Sequence, residues 1–171
     1  MHEENGKLKR LDAANRYLTF FIDKEQYGIH ISKIKEIIAP MHITHIPKTP
    51  PFVKGVINFR GVIIAVVDIR LKFDMQERPM DSSTAIIIYG IEETSVGFIV
   101  DRVEDVLSIE EEHIAETPHF NSAIDTLFIE NVAEVGDDVI MLLDLEKMFE
   151  ENELLEMHNL ETKNQNKGKN Q

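Results

Sequence analysis

A proline-rich block that runs into two apolar segments constrains this chain more than any other feature. Prolines occupy three of the five positions from Pro47 to Pro51, and proline does not fit the interior of a helix or a central strand. Only Arg60 and Gly61 separate the two apolar segments that follow, and the second, Val62 to Ile69, is rich in Val and Ile. This pattern predicts a β-hairpin that places Arg60 at an exposed tip and uses Gly61 for the positive φ of the turn.

Two further hairpins, at about 17–31 and 86–100, follow from polar turns that separate β-rich runs. A shift of 69 residues superposes Gly28 on Gly97, and a shift of 76 residues superposes Asp68 on Asp144. Both halves therefore follow the order hairpin, strand, hairpin and short helix, which indicates a tandem duplication. Chance similarity between Val- and Ile-rich strands is the alternative.

The duplication predicts a mainly β fold of two small five-stranded β-barrels that bury apolar surface against each other. We expect the first barrel at about 16–80 and the second at about 84–145. Apolar residues at near-helical spacing predict a C-terminal helix at 146–158. The polar ends, 1–15 and 159–171, are expected to be disordered.

The charge balance limits the partners of the protein. It has 31 acidic and 18 basic residues, and the net charge of −13 repels phosphate backbones and anionic lipids. The first fifteen residues lack the apolar run of a signal peptide, no apolar stretch approaches the roughly 18 residues of a membrane span, and cysteine is absent. We expect a cytoplasmic protein that binds no nucleic acid and does not insert directly into membranes.

The sequence carries no motif of an active site. It lacks a P-loop, a dinucleotide fingerprint and a nucleophile elbow. His42 and His45 are three residues apart, but no nearby carboxylate completes a set of metal ligands. Asp68 and Asp144 each end an apolar strand, where an N-cap of the following helical turn is favoured over a general acid. We predict no enzyme activity, no metal and no cofactor.

Residues around the first hairpin predict a binding surface. Arg60 is a cation on an acidic protein, and Glu36 in the preceding strand is its expected ion-pair partner. Asn58 is polar inside an apolar run, so its amide is expected to hold either the turn or the neighbouring proline-rich loop. Lys54 and Gly55 lead into the same hairpin, and the glycine is interpreted as a backbone bend. A solvated turn arginine without a role is the alternative.

These residues resemble the signature of CheW, the coupling-protein family of bacterial chemotaxis, and the resemblance covers nearly all of residues 16–150. The first motif is Pro47-x-x-Pro50-x-Phe52-Val53-Lys54-Gly55-Val56-Ile57-Asn58-Phe59-Arg60-Gly61 with Val66-Val67-Asp68-Ile69-Arg70, and the second is Val96-Gly97-Phe98-Ile99-Val100-Asp101-Arg102-Val103 with Val106-Leu107. The resemblance implies two SH3-like β-barrels without catalytic activity. It also implies a scaffold that links the histidine kinase CheA, through its CheW-like regulatory domain, to the cytoplasmic tip of methyl-accepting chemoreceptors.

The resemblance further assigns residues to two binding regions. The kinase- and receptor-coupling surface is expected to contain Arg60, Glu36, Lys54, Gly55, Asn58 and Gly61. An apolar groove for the receptor tip is expected to contain Ile31, Ile34, Val100 and Val103. By the same resemblance the isolated protein is a monomer, recruited to membrane-associated receptor arrays.

Related and unrelated classes supply the alternatives. CheV and CheA carry this domain within longer chains, but the residues after 150 leave room only for a helix and a tail. A small β-barrel that binds single-stranded nucleic acid needs a basic groove with exposed aromatic residues, whereas this chain is acidic and only 7% aromatic. Another kind of interaction module stays open as a further alternative.

Overall fold

The computed structural model describes residues 15–116 and 128–169, with side chains as far as residue 161. These residues form eleven strands and two α-helices. The strands are β1 (Arg16–Ile22), β2 (Glu25–His30), β3 (Ile34–Ile38), β4 (Val53–Phe59), β5 (Val62–Asp68), β6 (Ala85–Ile91), β7 (Thr94–Val100), β8 (Arg102–Ser108), β9 (Ile114–Glu116), β10 (Ile129–Val135) and β11 (Asp138–Leu143). The helices are α1 (Ile69–Lys72) and α2 (Glu151–Lys169), and 3₁₀ turns lie at Ile31–Lys33, Glu111–His113 and Leu145–Met148. This content confirms the predicted mainly β fold with a C-terminal helix.

The chain forms two compact units, each built from separate segments. The first unit contains the chain up to Lys33 together with Val103–Met148, and the second contains Ile34–Arg102 together with the chain from Phe149. A six-stranded sheet in the order β8-β1-β2-β11-β10-β9 forms the first unit. A five-stranded sheet in the order β3-β6-β7-β5-β4 forms the second unit.

Each sheet combines hairpins from both halves of the sequence. In the first unit β2 pairs in parallel with β11, which places Gly28 opposite Leu142. In the second unit β7 pairs in parallel with β5, which places Gly97 opposite Val66. The two registers are equivalent under the shifts of 69 and 76 residues that relate the halves. The structure therefore differs from the expected consecutive barrels at 16–80 and 84–145, because equivalent hairpins have exchanged places between the two sheets.

The sheets also differ from the closed five-stranded barrels that the sequence analysis predicts. The first sheet has a sixth strand because β9 pairs with β10. Among the described strands, no backbone pairing joins the two ends of either strand order. The second sheet nevertheless surrounds one core, since residues of β4, β5, β6 and β7 form a single buried cluster against which Ile38 of β3 packs. The buried members are Ile57, Ile64, Val66, Ile86, Ile88 and Ile99.

The C-terminal helix begins later and extends further than predicted. The segment 145–148 forms a 3₁₀ turn, and α2 runs from Glu151 to Lys169, well beyond the expected end at 158. Met157 is buried, and the rings of Phe98 and Phe149 lie 5.9 Å apart between their centroids in the core of the second unit. The expected disordered N-terminus, 1–15, lies outside the described residues except for its last residue. Among the described helices, none is long and apolar enough to cross a membrane.

Candidate functional site

The turn between β4 and β5 presents Arg60 as the sequence predicts. Arg60 and Gly61 have φ values of 52° and 84°, the pattern of a two-residue hairpin turn that matches the twist of the flanking strands. The backbone N–H of Gly61 donates a hydrogen bond of 3.0 Å to Oδ1 of Asn58. Asn58 therefore holds the turn closed, which confirms its predicted contact.

The guanidinium of Arg60 is exposed but held in one orientation by two contacts. Its side chain is 72% exposed, and Nη2 lies 2.8 Å from Oε1 of Glu36, as predicted. Its Cζ atom also lies 4.8 Å from the ring centroid of Phe59, a cation–π contact that sequence reasoning missed. An exposed ion pair of this kind contributes no more than about 1 kcal/mol to stability. Its main effect is therefore to fix the direction of a positive charge.

Exposed apolar side chains lie next to both partners in sequence. Ile37, which follows Glu36 in β3, is 42% exposed, and Val62, which follows Gly61 in β5, is 38% exposed. Successive side chains of a strand point to opposite faces, so Ile37 and Glu36 lie on opposite faces of β3.

Lys54 and Gly55 have different roles in β4. Lys54 forms an ion pair with Glu77, so its charge is partly neutralised. Gly55 has a φ of 144°, and a Cβ built on it would lie 2.1 Å from the carbonyl oxygen of Thr44. Thr44 exchanges two backbone hydrogen bonds of 2.9 Å with Val56 at this point. Gly55 is required by this close backbone approach, as the interpretation of a backbone bend predicts.

The four residues of the expected receptor groove belong to different parts of the fold. Ile31 and Val103 belong to the first unit, whereas Ile34 and Val100 belong to the second. Ile31, Ile34 and Val103 are partly exposed, but Val100 is completely buried. Because Val100 is completely buried, it occupies the position of a core residue. The assignment of these four residues to a receptor groove stays a prediction.

The acidic residues at the strand ends are helix caps. Oδ1 of Asp68 accepts a hydrogen bond of 2.9 Å from the backbone N–H of Arg70, and Oδ1 of Asp144 accepts one of 3.1 Å from that of Glu146. Burial raises the pKa of Asp68, although the hydrogen bond from the Arg70 backbone opposes this effect. Both predicted N-caps are therefore present.

A second arginine is buried where the motif ends. Nε and Nη2 of Arg70 lie 2.8 and 2.5 Å from the two carboxylate oxygens of Asp101, which is a bidentate ion pair. Arg70 also donates a hydrogen bond to the carbonyl oxygen of Gln76. The pair connects α1 to the end of β7, and its burial indicates a structural role.

The candidate metal ligands of the described residues lie on the surface. His42 and His45 are both exposed. Among the described residues, Glu110, Glu112 and His113 form the one group of three side chains close enough to share an ion, and all three are exposed. Exposed acidic groups of this kind are common without an ion, so this group is not assigned a function.

The site therefore consists of an oriented cation on a hairpin tip of a double-sheet β protein. This arrangement defines a class, namely small β proteins that carry an exposed, ion-paired arginine on a hairpin turn. Comparison with known proteins identifies the family within that class. The model of the CheW-like domain matches residues 16–153, and the chain belongs to the CheW-like domain family.

Individual relatives support this assignment along almost the whole chain. The chain is similar to chemotaxis protein CheW of Klebsiella aerogenes, with 35% identity over 91% of this chain and 93% of that protein. It is 36% identical to chemotaxis protein CheW of Thermotoga maritima, over 78% of this chain and 87% of that protein. Among solved structures, the scaffolding protein TtCheW from Thermoanaerobacter tengcongensis superposes with a TM-score of 0.75 at 36% identity, covering 82% of this chain and 95% of that chain.

Proposed function

We propose that this protein is a chemotaxis scaffold that couples methyl-accepting chemoreceptors to the histidine kinase CheA, without catalysis. Membership of the CheW-like domain family and the similarity to a scaffolding protein support this role. Its location is the cytoplasm, with recruitment to receptor arrays. Its binding partners are the CheW-like regulatory domain of the kinase and the cytoplasmic tip of the receptors.

The observation that carries the proposal is the fixed orientation of Arg60. Glu36 and the Phe59 ring hold the guanidinium on a turn that is tied by Asn58. A side chain held in its binding pose loses less conformational entropy when a partner binds. The guanidinium retains donors that Glu36 does not use, and these suit a carboxylate or carbonyl group on a partner.

The groove residues supply a second proposed contact. Ile31, Ile34 and Val103 are partly exposed apolar side chains, suited to the apolar face of a receptor helix. Val100 contributes from the core, where it supports the end of β7. Lys54 and Gly55 act mainly through the shape of β4, because the lysine is paired and the glycine permits a close backbone contact.

The test is a titration of the protein with the regulatory domain of a CheA kinase from the same organism. We expect Arg60→Glu to weaken binding at least tenfold, because it replaces the fixed cation with a charge that repels both Glu36 and an acidic partner group. Lys24→Glu is the matched control, since Lys24 is an exposed cation in the turn between β1 and β2. Thermal unfolding of each variant checks that the fold is intact.

The outcomes separate the possible roles of Arg60. Equal weakening by Arg60→Glu and Lys24→Glu would show a general charge effect and remove Arg60 from the binding surface. Loss of the thermal transition in Arg60→Glu would show that the residue is structural. Failure of the folded wild-type protein to bind the kinase domain would refute kinase coupling, and a parallel titration with receptor tips would then test receptor binding alone.

A further inference from the structure

A groove lies between the N-terminal part of α2 and the turn that joins β6 to β7, within the second unit. Its volume is about 640 Å³. Buried Ile91, Val96 and Met157 form its floor, and Leu154 and Leu155 of α2 form one wall. Leu155 is 59% exposed. We call this feature the α2 groove.

The rim of the α2 groove is acidic. Glu92 and Glu93 occupy the turn between β6 and β7, and Glu151 begins α2 on the other side. Among the described residues that line the groove there is no Lys or Arg, and Nδ1 of the His158 ring lies 2.8 Å from Oγ1 of Thr94. Within the part of the chain that the structure describes, none of these three carboxylates forms an ion pair. The groove thus combines an apolar floor with a rim of uncompensated negative charge.

Local structure explains Glu151 at the rim, but it does not explain Glu92. An acidic residue in the first turn of a helix stabilises the helix, which accounts for Glu151. Glu92 has a φ of 54°, a conformation that Gly, Asn or Asp adopts more easily than Glu. Glu93 follows it on the exposed side of the same turn. Local structure therefore favours other residues at Glu92, and the neighbouring carboxylates repel a further negative charge, so stability does not explain glutamate at this position.

We propose that the α2 groove binds a cationic amphipathic helix of a partner protein. Such a helix would place apolar residues spaced by three and four positions against Leu154, Leu155 and the floor, while its flanking Lys or Arg side chains reach the rim carboxylates. Charge complementarity selects this partner, because an acidic or neutral segment would leave the three carboxylates without partners. The groove shares no residue with the Arg60 turn, so this inference does not depend on the coupling role.

The probe for the test is a fluorescein-labelled synthetic peptide of about 15 residues, with Leu at helical spacing and Lys at the other positions. A peptide of the same composition in shuffled order is the first control. We expect the patterned peptide to bind the full chain at least tenfold more tightly than the shuffled one in fluorescence anisotropy. We also expect binding to weaken as salt increases.

Matched variants locate the binding site. The rim variant Glu92→Gln/Glu93→Gln/Glu151→Gln should weaken binding at least tenfold. The control variant Glu134→Gln/Asp137→Asn/Asp138→Asn removes the same number of exposed charges from the first unit and should change binding less than threefold. These two variants have the same net charge, so a difference between them reports position.

A second pair of variants tests the apolar contact. Leu155→Gln should weaken binding about fivefold to tenfold, whereas Val139→Gln, at a similarly exposed valine of β11, should leave it unchanged. Circular dichroism verifies that each variant is folded. Equal losses in the rim and control variants would overturn the proposal, because they indicate adsorption to the acidic surface as a whole. Equal affinity for the patterned and shuffled peptides, or no effect of Leu155→Gln, would overturn it as well.

Discussion

The substitution Gly55→Ala should destabilise the protein strongly, although it adds a single methyl group. The φ of 144° at this position is accessible almost only to glycine, and a side chain there costs about 1–3 kcal/mol. The added Cβ would lie 2.1 Å from the carbonyl oxygen and 2.7 Å from the carbonyl carbon of Thr44. Both are backbone atoms, which cannot move aside as the end of a flexible side chain can.

The size of the expected loss in free energy of unfolding follows from the backbone contacts of Thr44 that the new Cβ would disrupt. Displacing Thr44 breaks its two backbone hydrogen bonds with Val56, each 2.9 Å long. Each hydrogen bond contributes about 0.5–1.5 kcal/mol net. Together with the backbone strain, the loss is about 4 kcal/mol, a large part of the free energy of unfolding of a typical domain.

Urea unfolding monitored by circular dichroism measures this loss, and Gly61→Ala is the control. Gly61 also has a positive φ, 84°, but an added Cβ meets no atom within 4 Å. Its substitution should cost only the conformational term, about 1–2 kcal/mol. If the two variants lose the same free energy of unfolding, then the close approach to Thr44 does not govern the need for glycine in β4, and the reasoning is wrong.

Four further substitutions test the buried parts of the fold. Because the folded pKa of Asp68 is raised, its carboxyl group favours folding most below its unfolded pKa of about 3.9, and this contribution is lost as pH rises through the folded pKa. The variant Asp68→Asn keeps the cap acceptor but does not ionise. Its free energy of unfolding relative to wild type, measured by chemical unfolding, should therefore increase between pH 3 and pH 7. The variant Asp68→Ala loses the cap and should be less stable than wild type by about 1 kcal/mol at pH 7. Asp101→Asn leaves the Arg70 guanidinium without its ion pair and should cost about 3 kcal/mol in the same assay, while a loss below about 1 kcal/mol would contradict a structural pair. Gly28→Ala should cost less than Gly55→Ala by chemical unfolding, because the new Cβ meets a Leu142 methyl group at 2.9 Å, which can rotate away; an equal loss would contradict this.

Local features were predictable because they depend on short stretches of sequence. The turn at Arg60 and Gly61 follows from two apolar runs separated by two residues, and the caps follow from Asp at the end of a strand. The contact between Arg60 and Glu36 was predictable from opposite charges near one hairpin. The packing of Gly55 against Thr44 was not predictable from the sequence. Thr44 lies in a loop, and nothing in the sequence of a loop indicates which strand it will approach.

The exchange of hairpins was not predictable from a repeat. Gly28 and Gly97 occupy equivalent positions in the two halves, and each faces a large aliphatic residue across a parallel pair. The β1–β2 hairpin and the β6–β7 hairpin would therefore each fit against β5 or β11 with the same register and the same alternation of buried residues. The end of α2 was missed for another reason: after Leu160 the sequence has no apolar periodicity, although Glu, Lys and Gln are good helix formers.

Both members of the Arg60–Glu36 pair lie in a single sheet, at its opposite ends. Glu36 lies in β3, the first strand of the order, and Arg60 lies at the end of β4, the last. A separation of 2.8 Å between their side chains requires the sheet to curl until its ends meet, although no backbone pairing among the described strands closes it. Because the Arg60 side chain is 72% exposed, this pair is too weak to hold the ends together, and the shared core must do so. The curl of the sheet therefore brings Glu36 to Arg60, and the direction of the guanidinium is a consequence of how the whole second unit packs.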